Sequence, residues 1–130
     1  MQVSELKADS TTDALVALAQ GWEQRPTTGQ FTWYTKEGYQ AIPVKSYQPS
    51  TNGAQAFELI EKFIVNIKSL PIEDNERIWV AHCICHDSEV GSTPTLAICK
   101  AVIASKWGDE VPDAVMEKLL SQHNTDSKGE

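Results

Sequence analysis

The stretch "AHCICHD" gathers His82, Cys83, Cys85 and His86 within five residues, a set of soft donors that invites a zinc reading. On a strand, however, successive side chains point to opposite faces. His82 and His86 would then face one way and Cys83 and Cys85 the other, so four ligands do not converge on one ion. The C-x-x-C spacing of metal loops is also missing. Nor does any third residue mark itself as the orienting partner of a Cys–His nucleophile. The expectation is no metal, no cofactor and no catalytic residues, with small buried cysteines and His82 at the strand's mouth.

Hydroxyl residues ahead of two apolar stretches form the second constellation. "PSTN" carries Ser50, Thr51 and Asn52, and "GSTPT" carries Ser92, Thr93 and Thr95. A helix start exposes four N–H groups that need acceptors, and Ser, Thr or Asn side chains supply them. Capping alone accounts for these residues. The same ends also attract phosphate or carboxylate groups without net positive charge. If the two helix starts lie side by side, they would form one anion-binding hollow. Arg25 and Arg77 are the only arginines, and either would suit a bidentate anion contact.

Aromatic residues are plentiful. Trp79 and Trp107 sit inside apolar elements and read as core. Trp33, Tyr34 and Tyr47 sit in the Pro- and Gly-punctuated segment before "PSTN", where flat side chains would stack on a base or fill a partner's pocket. The candidate ligand-binding set is therefore Trp33, Tyr47, Ser50, Thr51, Asn52, His82, Ser92, Thr93 and Thr95.

The elements that must position this set follow from periodicity. Ser10 or Thr11 is expected to cap a first helix through Leu15, Leu18 and Ala19, which Gly21 ends. "FTWYT" and "YQAIPV" read as short strands, with Pro43 marking an edge or break. A second helix is expected from the apolar spacing of Ala56, Phe57, Ile60, Phe63, Ile64 and Ile67. "RIWVAHCIC" reads as a central strand. Thr93 and Pro94 open a buried helix through Trp107, and Gly108 closes it. Pro112 opens a last amphipathic helix. Residues 1–122 are expected to form one α/β (α+β) domain, a compact α-β-α sandwich with a small sheet and three to four helices, and residues 123–130 a disordered tail.

The chain has 130 residues with 11 Lys+Arg against 18 Asp+Glu, a formal net charge of −7. Such a balance disfavours a nucleic acid polymer or an anionic membrane as partner. Three cysteines, two of them one residue apart, do not read as a disulfide framework, and no apolar run approaches the ~20 residues of a membrane span. The expected location is the cytosol of a host cell.

The order "VSELKADSTTDALVALAQGW", "YQPSTNGAQAFELIEK", a Trp-bearing strand and "TPTLAICKAVIASKWGDEV" resembles the NinX-like proteins of phages and prophages and the related phage α-β-α sandwich domain. The resemblance covers roughly residues 3–112. It implies a phage origin, a compact α/β sandwich and no established catalytic chemistry. Sequence and resemblance together lead to the expectation of a non-enzymatic phage accessory protein that sequesters a small nucleotide-like host immune signal, as a homo-oligomer. The alternatives are a protein-interaction module that inhibits or redirects a host or phage protein and, last, a small Cys/His enzyme.

Overall fold

A computed structural model describes residues 1–73, 76–83 and 88–119. Cys85 and His86 of the His/Cys cluster, and the expected tail, lie outside these residues.

Three helices and two antiparallel sheets follow in the order α1 (Ser10–Ala19), β1 (Glu23–Thr27), β2 (Gln30–Tyr34), β3 (Gln40–Pro43), α2 (Gly53–Phe63), β4 (Val65–Pro71), β5 (Arg77–Cys83), β6 (Glu89–Gly91) and α3 (Pro94–Trp107). Residues 113–119 add a further helical segment. The architecture is α+β, with the strand content divided between a β1-β2-β3 sheet and a β4-β5-β6 sheet instead of one small sheet. No helix among the described residues is long and apolar enough to cross a membrane.

α3 is the axis of the core. It is buried continuously from Leu96 to Ala104, because α1, α2, the β4-β5-β6 sheet and the N-terminal turn all pack on it. Its start is as expected: Thr93 accepts the Leu96 N–H at 3.2 Å and Pro94 fills the first turn, where a missing N–H costs nothing. Gly91 lets β6 approach this start closely. A Cβ there would lie 2.6 Å from Ala97 N and 3.0 Å from Ala97 Cα.

Two boundaries differ from the sequence reading. α1 is capped by Asp9, whose carboxylate accepts the Thr12 N–H at 3.1 Å, and not by Ser10 or Thr11. α2 ends at Phe63, and Ile67 belongs to β4. Ile64 sits at φ 53°, an uncommon place for a β-branched residue, and turns the chain from helix into strand. From there Val65, Ile67 and Ser69 alternate with exposed Asn66 and Lys68, the period of a strand. Correspondingly, α2 buries Ala56 and Leu59, and Phe57 stands 61% exposed where a core position was expected.

β5 is the central strand of its sheet, as its apolar run suggested, paired with β4 from Pro71↔Arg77 to Val65↔Cys83 and with β6 at Trp79↔Gly91. Ile67, Trp79, Ala81 and Cys83 join the core on one face of this sheet. The alternate positions Asn66, Lys68, Leu70, Ile78, Val80, His82 and Val90 form its other face, outside that core.

Candidate functional site

One end of α1 meets the β1-β2-β3 sheet and the loop leading into α2, and the three enclose a cavity of about 340 Å³. Ala8, Asp9, Asp13 and Ala14 come from the start of α1. Gln24 and Trp33 come from β1 and β2, and Val44, Lys45, Tyr47, Gln48 and Thr51 from the following loop. Leu119 closes one side. That size falls at the lower end of the roughly 300–1,000 Å³ typical of small-molecule sites.

Asp13 is the polar centre of this wall. It is 7% exposed, and its Oδ1 accepts the backbone N–H of Ser50 at 2.8 Å. Burial raises its pKa above the usual carboxylate value; the hydrogen bonds from Ser50 work in the opposite direction, and the nearby Asp9 charge adds to the rise. Thr95 Oγ1 donates to the Ser50 carbonyl at 2.7 Å. Ser50 is thus held through both backbone groups, by α1 on one side and α3 on the other. Its own hydroxyl is enclosed beside the Asp13 carboxyl.

Tyr47 is positioned by a relay that begins at the surface. Lys62 Nζ donates to Gln20 Oε1 at 2.7 Å, which fixes the amide's orientation, and Gln20 Nε2 donates to the Tyr47 hydroxyl at 2.7 Å. Trp22 packs on the same ring, with centroids 4.9 Å apart and planes inclined by 49°. Burial drives the Tyr47 pKa upward, so the phenol stays protonated.

The expected set divides once it is placed in space. Trp33, Tyr47 and Thr51 line the cavity and Ser50 adjoins it through Asp13. Trp33 is not an exposed loop aromatic: it is 1% exposed on β2, and Tyr47 is likewise buried. The starts of α2 and α3 do adjoin, through the Thr95–Ser50 bond. Their capping groups are occupied, however. Asn52 accepts the Gln55 N–H at 3.1 Å, and Thr93 serves Leu96. Ser92 borders a separate, more open hollow with Lys7, Ile78, Val90, Leu96 and Lys100. His82 lies half-buried on β5, opposite Asn66.

In that second hollow Lys100 is committed to structure. Its Nζ donates to the Val90 carbonyl at 2.9 Å and the Ser4 carbonyl at 3.0 Å, tying the N-terminal turn to β6. Burial lowers its pKa, against the opposing influence of Glu89. The arginines take no part in either hollow. Arg25 pairs with Glu23 at 3.0 Å and lies 4.9 Å from the Tyr34 ring centre, and Arg77 donates to Ser69 Oγ at 2.8 Å.

No protein-family model matches the chain, and no match is found among curated proteins. The site must therefore be read from its own chemistry. Among the described residues no His, Cys, Asp and Glu cluster is arranged to hold a metal. Cys99 is fully buried, and burial raises its thiol pKa, with the Asp13 charge adding to the effect; that is the opposite of what a nucleophile requires.

Sequence reasoning missed Asp13 as a site residue. It also missed Asp9, Gln24, Lys45 and Gln48. A visible signal existed for Asp13 alone: an acid flanked by Thr12 and the apolar run Ala14–Ala17 must either be buried or break the helix's inner face.

Proposed function

We propose that this protein is a non-enzymatic binding protein that captures a small nucleotide-like molecule, in the manner of a phage accessory protein that sequesters a host immune signal. The resemblance to NinX-like proteins supplies the phage context. The observation that carries the reading is the convergence of Trp33, Tyr47 and Asp13, from three separate elements, on one cavity. An apolar wall with a few placed polar groups is the usual make-up of a small-molecule site, and two carboxylates in that wall suit a base more than a phosphate chain.

The test is to purify the full chain from bacteria making defence nucleotides, denature it, and analyse the released small molecules by mass spectrometry. Release of an intact nucleotide-like compound in near-stoichiometric amount is the expected result. A converted product would favour an enzyme. No release, with no ligand taken up from a nucleotide panel added to the pure protein, would overturn the capture reading.

A protein-interaction module is the second reading, and one observation favours it. Leu70, Ile78, Val80 and Val90 form an apolar patch, bordered by Lys68, on the face of the β4-β5-β6 sheet turned away from the core, with Leu70 and Val90 exposed. Exposed apolar patches of this kind mark interaction surfaces. Replacing Val90 by Lys would then abolish association with a protein partner and leave small-molecule binding intact.

A further inference from the structure

The charge of the cavity is opposite to what capture of a phosphate group requires. Asp9 and Asp13 both line it, against a single ammonium from the exposed Lys45. The start of α1, which faces this space, has its positive end compensated by the Asp9 cap and by Asp13 in the first turn. The α2 and α3 starts are likewise occupied by Asn52 and Thr93. A phosphate entering here would meet carboxylates.

Acceptor chemistry is what the wall offers instead. Asp13 Oδ1 already takes the Ser50 N–H, which locks the carboxyl plane relative to α1 and the loop before α2. An ionised carboxylate accepts at both oxygens and pairs best with two parallel N–H donors held in one plane. Trp33 and Tyr47, both almost fully buried, line the cavity beside it, and Tyr47 is kept in place by Gln20 and Trp22.

Building on the capture reading, the geometry points to a ligand that presents a planar edge with two adjacent N–H donors to Asp13, flanked by Trp33 and Tyr47. A guanine base carries such an edge in its ring N–H and exocyclic amine. An alkyl guanidinium carries it too. Adenine does not, because its exocyclic amine sits beside a ring acceptor that faces the carboxylate lone pairs.

Titration calorimetry of the full chain with guanosine, agmatine, adenosine and inorganic phosphate as probes tests this. Guanosine or agmatine should bind at least about tenfold tighter than adenosine and phosphate, and the stronger of the two identifies the source of the N–H pair. Asp13→Asn should lower that affinity at least about tenfold, because it replaces one acceptor by a donor while its carbonyl still accepts from Ser50. Titration of guanosine at raised salt is a second and independent arm. It should leave binding unchanged, whereas capture by anion attraction would weaken steadily.

Preference for adenosine or phosphate, or guanosine binding that weakens steadily with salt, overturns the inference. So does a panel in which no probe binds. That last result leaves the capture reading to the released-ligand experiment, and binding of agmatine alone supports the N–H pair while removing the nucleotide.

Discussion

Asp13 and Ser50 lie 37 residues apart in sequence, yet the Asp13 carboxylate accepts the Ser50 N–H at 2.8 Å inside the protein. This bond joins α1 to the loop that lines the cavity and leads into α2. Removing the acceptor leaves a buried N–H without a partner, which costs about 1–3 kcal/mol. Asp13→Ala is therefore expected to lose stability in that range in urea unfolding, and Asp13→Asn distinctly less, since its carbonyl keeps the bond. Equal losses in the two variants would show that the bond is not what stabilises the loop.

The same carboxyl gives a pH dependence whose sign is fixed. Burial raises the Asp13 pKa in the folded protein above its unfolded value of 3.8. Between those two values the native state holds more protons than the unfolded chain, so this group's contribution to stability falls as pH rises and levels off above the folded pKa. Asp13→Asn has no such proton. The unfolding free energy of the variant, measured relative to the native sequence from pH 3.5 upward, should therefore rise with pH and then flatten. A difference that declines over the same window would place the folded pKa below 3.8.

Capping at the two adjoining helix starts can be separated by single substitutions. Asn52 accepts the Gln55 N–H, whereas Thr51 Oγ1 reaches only the Gln48 carbonyl at 3.4 Å and is exposed. Asn52→Ala should cost about 1 kcal/mol, as should Thr93→Ala at the start of α3. Thr51→Ala should change stability by no more than about 0.5 kcal/mol. Thermal unfolding that ranks Thr51→Ala as the most damaging of the three would reassign the cap.

How far the fold and site could be read beforehand depends on how local each signal is. α3 was legible because Thr93, Pro94 and Gly108 punctuate an apolar run, and β5 because its residues are branched, aromatic and few in charge. The α2 end was not. Ile64 and Ile67 fit helical spacing as well as strand alternation, and the turn between helix and strand is made by Ile64 in a conformation normally announced by Gly or Asn. β1 escaped because Glu23, Arg25 and Pro26 are exposed on an edge strand and leave no apolar alternation to detect. The cavity escaped for a different reason. Asp13, Trp33 and Tyr47 are brought together only by packing, and no spacing along the chain encodes their meeting.

Close approach of backbone to backbone gives the last expectation, at the start of α3. Gly91 ends β6 two residues before the Thr93 cap, and any Cβ placed on it meets Ala97 N at 2.6 Å, Ala97 Cα at 3.0 Å and the Thr93 carbonyl at 3.1 Å. These atoms belong to the first turn of the most buried helix and cannot swing aside as a side-chain tip would. The strand must move instead, and with it the Val90 carbonyl that accepts from Lys100. Gly91→Ala should therefore cost more than a Gly-to-Ala exchange in open structure, about 1–3 kcal/mol by analogy with overpacked cores. The neighbouring Ser92→Ala, on an exposed side chain, should stay within about 0.5 kcal/mol. Urea midpoints of the two variants check the contrast, and a Gly91→Ala midpoint matching that of Ser92→Ala would mean that β6 is not seated against α3 as described.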